Sequence, residues 1–196
     1  MSLPKLDDEY WNERYLTNAT GWDIGHASPS FLSFFKDIDR NSKILIPGCG
    51  NSYEGEVLYK MGFKNLTLLD FAKSSKDNFL KRFPTFPAEN FVVGDFFSLG
   101  GKYDFILEQT FFCAINPQLR EAYLSKMTEL MTETGKLVGL LFDAPLNDAH
   151  PPFGGSQNEY EMLFQKYFKN VKMDKCQESI EPRAGKELWI EVSNPL

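Results

Sequence analysis

The residues with the clearest chemical signal are Gly48, Gly50 and Asp70. The two glycines lie in the run PGCGN, directly after the apolar stretch Ile44, Leu45, Ile46. The acid closes a second apolar stretch, Leu66, Leu68 and Leu69, about 20 residues past the turn. Glycines let a backbone turn sharply and bring a ligand against its N–H groups, where the start of a following helix also favours an anionic group. A carboxylate only accepts hydrogen bonds, so Asp70 at a strand end suits both hydroxyls of a ribose. Between turn and acid, Val57, Leu58 and Met61 recur at helical spacing and stop at Gly62. The elements that must position these groups are therefore strand, helix and strand, the β-α-β unit that binds nucleosides at its carboxyl edge. The alternative is an ordinary strand-turn-helix whose glycines only serve the turn; the acid about 20 residues past the turn favours the nucleoside reading.

A dinucleotide fingerprint would place a third glycine three residues after the second, and Tyr53 stands there. The pattern disfavours a nicotinamide oxidoreductase and fits a mononucleoside with a small anionic end. S-adenosylmethionine, with one ribose and one carboxylate, meets that description. Three large aromatic residues, Trp11, Tyr15 and Trp22, precede the first core strand. Their faces would attract a sulfonium cation, although the same rings could simply pack the segment onto the sheet. Asp95 follows a short apolar run at Phe91, and either lies beside an adenine amino group or forms part of a Gly94-Asp95 turn. A strand from Tyr103 puts Glu108, Gln109 and Thr110 at its carboxyl end, where doubly wound sheets place function.

The net charge of -6 argues against a nucleic-acid partner, since such proteins carry basic faces, and favours a small-molecule substrate. Cys49, Cys113 and Cys176 are far apart and show no metal-ligand spacing, so neither a disulfide framework nor a metal site is expected. No apolar run approaches a membrane span and the first residues carry no signal-peptide core, which reads as a cytoplasmic protein. At 196 residues the chain is expected to be one domain over 1–196, with an N-terminal aromatic lid segment over 1–35 and a nucleoside-binding core over 43–196. Monomer and homodimer are both compatible with this pattern.

The remaining elements follow from spacing and caps. A helix is expected from about Asp7 to Thr17 with its acids in the first turn, and another after Ser28-Pro29, a polar cap with proline at the first position. FAKSSKDNFLKRF reads as an amphipathic helix. Asn116-Pro117 opens a long one whose face carries Leu119, Tyr123, Met127, Leu130 and Met131 and which ends before Gly135. Leu137 to Phe142 reads as a central strand, and Asp143 to Gly155 as a Pro- and Gly-rich loop long enough to cover a site. Ser156 with Glu159 forms a capping box, and two further strands, from Phe168 and Glu187, close the chain. His26 and His150, the only histidines, read as loop residues, and Cys113 as a small buried apolar side chain. Pro151-Pro152-Phe153 follows the fifth strand and His150, which is not the setting of the amide-methylating motif it superficially matches.

The run from Trp11 to Asp23, the PGCGN turn, LLD at Asp70, and EQTFFCAINPQLR followed by Pro151-Pro152-Phe153 together resemble the thiopurine S-methyltransferase superfamily, nearest its plant halide and thiol methyltransferases. The resemblance spans nearly the whole chain. It implies an α/β class I S-adenosylmethionine-dependent methyltransferase fold, with a seven-stranded, mostly parallel, doubly wound sheet and an antiparallel last strand. It also implies in-line methyl transfer to a small soft nucleophile: a thiol, hydrosulfide or halide. By position it assigns Trp11, Tyr15 and Trp22 to the aromatic cofactor contacts, Gly48 with Gly50 to the turn at the methionine end, Asp70 to the ribose, and Asp95 with Phe96 to the adenine. Gln109 matches a cofactor or acceptor contact where the plant enzymes carry tyrosine, and Tyr15 stands where they carry tryptophan. No side chain is assigned as a catalytic base. A binding module without turnover, hinted at only by Gln109, and a methyltransferase for another small acceptor are the alternatives.

Overall fold

In a computed structural model describing residues 3–196, the apolar runs become β1 (Ile44–Pro47), β2 (Leu66–Asp70), β3 (Phe91–Val93), β4 (Tyr103–Gln109), β5 (Met131–Phe142), β6 (Phe168–Lys175) and β7 (Glu187–Pro195). They form one sheet in the order β3-β2-β1-β4-β5-β7-β6. β1 pairs parallel with β2 and β4, as do β2 with β3 and β4 with β5, while β7 runs antiparallel between β5 and β6. This is the sheet that the resemblance implied. Among the described residues no helix is long and apolar enough to cross a membrane.

Helices cover both faces: α1 (Asp8–Leu16), α2 (Pro29–Phe35), α3 (Tyr53–Lys60), α4 (Lys73–Arg82), α5 (Arg120–Leu130) and α6 (Gln157–Phe164). One apolar cluster joins Phe31 and Phe35 of α2, Leu58 of α3 and Phe79 of α4 to β1 and β2. The other joins Tyr123, Leu124, Met127 and Leu130 of α5 and Phe164 of α6 to Ile106, Leu137 and Ile190. A fully buried side chain of this size stabilises by roughly 1.5–3 kcal/mol, so the two clusters fix the sheet between its helices. The carboxyl ends of β1, β2 and β4 are thereby held as one rigid edge.

Two details depart from the sequence reading. Asp7 caps α1 by accepting from the Tyr10 N–H, but Ser28 makes no side-chain cap on α2. Its own backbone N–H donates instead to Glu54 Oε1 at 2.9 Å, an acceptor 26 residues away that local sequence could not reveal. Met131 is not on the α5 face, because α5 stops at Leu130 and β5 begins at once, pairing Met131 with Tyr103 before a register shift to Lys136 opposite Phe105. The capping box at α6 is formed as expected, with both reciprocal bonds present.

Candidate active site

The glycine turn is shaped as its composition requires. Gly48 and Gly50 adopt φ of +57° and +54°, and a Cβ on Gly48 would stand 2.4 Å from the Phe111 ring. Only glycine fits where β1 meets the segment that follows β4. Asp70 is 8% exposed at the end of β2, its Oδ2 accepting from the Gly50 N–H and its Oδ1 from the Ala72 N–H, both at 2.8 Å. A carboxylate has about four acceptor sites, so after tying the turn to the strand Asp70 keeps acceptor capacity on the cavity wall. Burial pushes its carboxyl up to about 6 against those bonds, which favour the charge.

The β4 end is held by a second buried acid. Glu108 is fully buried; its Oε1 accepts from the Phe111 and Phe112 N–H groups at 2.8 Å, and its Oε2 from the Tyr123 hydroxyl at 2.5 Å. Room for it comes from Gly139 opposite on β5, where a Cβ would lie 2.2 Å from the Glu108 carbonyl oxygen. The clamp holds Thr110 at φ +58°, a conformation rare outside glycine and typical of functional turns. Burial pushes the Glu108 carboxyl up to about 7.

Above this edge lies a cavity of about 650 Å³. Trp11, Tyr15 and Trp22 form one side of it, Trp22 meeting Trp11 and Tyr15 edge-to-face at 5.5 and 5.7 Å. Gly48, Asp70 and Phe71 form its floor. Phe111, Ile115, Leu119, Phe142, Pro151 and Pro152 add apolar lining, and Arg183 lines the cavity with its guanidinium 5.4 Å from the Phe142 ring centre. Arg183 is 9% exposed, donates from Nη2 to the Trp22 carbonyl at 2.8 Å, and faces Glu187 across 3.4 Å. Cys113 also lines the cavity; its Sγ lies 3.4 Å from the Thr110 carbonyl and burial pushes the thiol up to about 12, so it stays protonated.

Not every residue singled out in the sequence reaches this cavity. Trp11, Tyr15, Trp22, Gly48 and Asp70 do. Gly50 and Gln109 instead line a smaller cavity beside it. Phe96 is 3% exposed with its ring in the core against Phe111 and Tyr123, and Phe97 takes the place on the wall. Asp95 turns its carboxylate back onto the Phe97 N–H, so the turn reading of Gly94-Asp95 describes its side chain. Sequence reasoning missed Arg183, which lies in a charged loop with no periodicity to mark it, as well as Tyr10 and Arg14, whose place on α1 is next to the residues it did find.

The family model for thiopurine S-methyltransferase matches residues 6–193. The chain belongs to the thiopurine S-methyltransferase family. It is 29% identical over 184 residues to a probable thiol methyltransferase 2 of Arabidopsis thaliana, covering 90% of this chain and 81% of that one. It is likewise 29% identical to thiocyanate methyltransferase 1 of Brassica oleracea (94% and 85% covered) and 24% identical to a thiopurine S-methyltransferase of Vibrio campbellii (82% and 83%). Among solved structures, a Burkholderia thailandensis 1,6-didemethyltoxoflavin-N1-methyltransferase with bound S-adenosylhomocysteine superposes with a TM-score of 0.74 at 16% identity, covering 100% of this chain and 93% of that one. The fold is thus that of the class I methyltransferases, and the protein is an S-adenosylmethionine-dependent methyltransferase. The residues present fit that cofactor: acceptor capacity at Asp70 for a ribose, aromatic faces for a sulfonium, and a turn that no Cβ obstructs.

Proposed function

We propose that the protein methylates a small soft nucleophile that reacts as an anion, a thiolate or hydrosulfide foremost and a halide by the same route. The observation that carries this reading is the cavity wall itself. Among the described residues its lining holds no histidine and one acid, Asp70, against three cations, Lys5, Arg14 and Arg183, of which Arg183 is buried and shares the wall with Phe111, Ile115 and Phe142. His26 and His150 spend their Nδ1 atoms on the adjacent Ala27 and Pro151 carbonyls. Such a site positions an anion without deprotonating it. The names of the thiol and thiocyanate relatives are in keeping with this choice.

Within this reading Asp70 takes the ribose hydroxyls, and Trp11, Tyr15 and Trp22 enclose the sulfonium end. The floor between Phe71 and Phe97 takes the adenine, with Asp95 and Phe96 acting through the backbone of their turn. The bound cofactor supplies an electrophilic methyl group. Arg183 holds the nucleophile's charge; the apolar wall strips its water and aligns it, which supplies most of the rate in a displacement of this kind. The site would hold the nucleophile in line with the methyl group that the cofactor would supply, and any proton on a thiol would leave to solvent beforehand. The segment over residues 3–35 acts as a lid. It is pinned by Asn12 accepting from the Ser74 N–H, Arg183 donating to Trp22, and Asn51 donating to Asp23.

Turnover of S-adenosylmethionine to S-adenosylhomocysteine, followed against pH with an alkyl thiol and with iodide, tests the proposal. The thiol rate should rise around the substrate's own pKa of roughly 8–9, and the iodide rate should stay nearly flat. One steep dependence shared by both acceptors would place control in a protein group and refute the base-free reading.

A further inference from the structure

The lining of the large cavity carries an excess of cations, Lys5, Arg14 and Arg183 against Asp70, on a chain whose net charge is -6. Two of the three have a carboxylate to face: exposed Lys5 reaches Asp7 at 2.7 Å, and Arg183 stands opposite Glu187. Arg14 pairs with no carboxylate among the described residues. Its side chain folds back over its own helix, Nη2 donating to the Tyr10 hydroxyl at 2.6 Å and the guanidinium lying 4.7 Å from the centre of that ring. A cation in the last turn of α1 would serve the helix dipole equally well from open solvent. This one is half-buried on a cavity wall with most of its donors unspent.

Helix geometry tells which part of the cavity Arg14 serves. Successive residues of an α-helix are rotated by about 100°. Asn12 marks one side of α1, accepting from the Ser74 N–H at 3.0 Å in the first turn of α4, the helix that follows β2 and Asp70. Tyr10 and Arg14 stand about 160° round the helix from Asn12, with Trp11 and Tyr15 on the stripe between. Arg14 is thus turned away from the ribose side. In the sheet β4 and β5 lie across β1 from β2, and the connections that follow them bring Asn116, Leu119, Pro151 and Pro152 to the same cavity.

We propose that Arg14 is a specificity residue for the methyl acceptor, and that the acceptor carries a carboxylate as well as its sulfur. The thiolate end meets the methyl group while the carboxylate, at the other end of a short chain, pairs with Arg14. Arg183 stays with the reacting sulfur. The planar guanidinium matches the two oxygens of a carboxylate, and Tyr10 orients it before the acceptor arrives, which lowers the cost of ordering it on binding. This deepens the acceptor class proposed above and rests on it. A halide or hydrosulfide, having no second group, would react without calling on Arg14.

Rates with 3-mercaptopropionate, its methyl ester and cysteamine, each referred to thiolate concentration, test the proposal in wild type, Arg14→Met, Arg14→Lys and Arg14→Glu. Wild type should prefer the acid to the ester by about tenfold in kcat/KM, carried by KM, the size expected of one charge-assisted contact. In Arg14→Met that preference should vanish with kcat for the acid retained. Arg14→Lys should restore part of it, and Arg14→Glu should shift it to cysteamine. A merely structural role would lower all three acceptors together. Calorimetry of 3-mercaptopropionate added to the S-adenosylhomocysteine complex, where no methyl can be transferred, should show the same dependence on Arg14. An acid preference unchanged in Arg14→Met, or equal losses for acid and ester, would overturn the proposal and leave thiol methylation standing. If the variants fail to fold, wild type alone decides, and absence of any preference for the acid would overturn it. Turnover of no thiol at all would overturn the acceptor class and the proposal with it.

Discussion

Cofactor affinity should depend on the charge of Asp70, and pH is a cleaner way to remove that charge than mutation. Replacing Asp70 with Ala would strip acceptors from the Gly50 and Ala72 N–H groups, leaving two backbone donors unpaired at about 1–3 kcal/mol each and collapsing the turn being tested. A proton leaves every atom in place. Burial lifts the Asp70 carboxyl to about 6 in the free protein, whereas ribose hydroxyls donating to it favour the ionised form and lower its pKa in the complex. Binding therefore expels a proton below pH 6. With the bound value below 5, affinity is full above pH 7 and falls with unit slope beneath 6. Between pH 7 and pH 5 the expected loss is about tenfold, or ~1.4 kcal/mol. The ligand's α-carboxyl and α-amino groups titrate outside that window. Calorimetry with S-adenosylhomocysteine at pH 5, 6 and 7, in buffers of different ionisation enthalpy, reads both the affinity and the released proton. Glu108 also titrates nearby, at about 7, so the series is repeated in Glu108→Gln, where the slope should persist. A flat affinity from pH 5 to 7 with no proton release would refute the ribose role of Asp70.

Glu108 makes a separate claim on stability. An acid whose folded pKa is raised, here to about 7 from the ordinary carboxyl range, binds its proton more tightly when folded, so its contribution is greatest at low pH and is lost as pH rises through 7. The stability of Glu108→Gln relative to wild type, read by chemical denaturation, should therefore rise by about 2–3 kcal/mol between pH 5 and pH 8, and a difference independent of pH would show that Glu108 does not ionise in that range. Arg183→Met alone would leave Glu187, 3% exposed, as a buried unpaired charge. The double replacement Arg183→Met with Glu187→Leu should keep the melting temperature within a few degrees while raising KM for an anionic thiol about tenfold; an unchanged KM would remove Arg183 from the acceptor site. Tryptophan emission should shift when S-adenosylhomocysteine is added, since two of the three tryptophans, Trp11 and Trp22, line the cavity, and no shift would mark the segment as static packing.

What could be read from the chain alone follows the range of the forces involved. Gly48, Gly50 and Asp70 were legible because a turn, a helix start and a strand end are local constraints, written within about 20 residues. The sheet was legible because β1, β2 and the carboxyl-terminal parts of β4 and β5 carry short apolar runs that are buried on both faces. Which of the adjacent Phe96 and Phe97 turns its ring into the core was not legible, because it is set by the short 3₁₀ turn that Asp95 caps, a matter of one residue's phase. Arg183 was hidden because its bond to the Trp22 carbonyl joins residues 161 apart. Nothing in EPRAG declares a partner at that distance. Glu108 lay between these cases. Its position at a strand end was visible, but its burial depends on Gly139 of the neighbouring strand giving way to it and on Tyr123 of α5 reaching down to donate. An acid directly after the apolar run Phe105 to Leu107, facing Gly139 within the apolar run Leu137 to Phe142, is a pairing that sequence could have offered. It would have pointed to the residue that shapes the β4 turn, and so to the segment between Thr110 and Asn116 that lines the cavity.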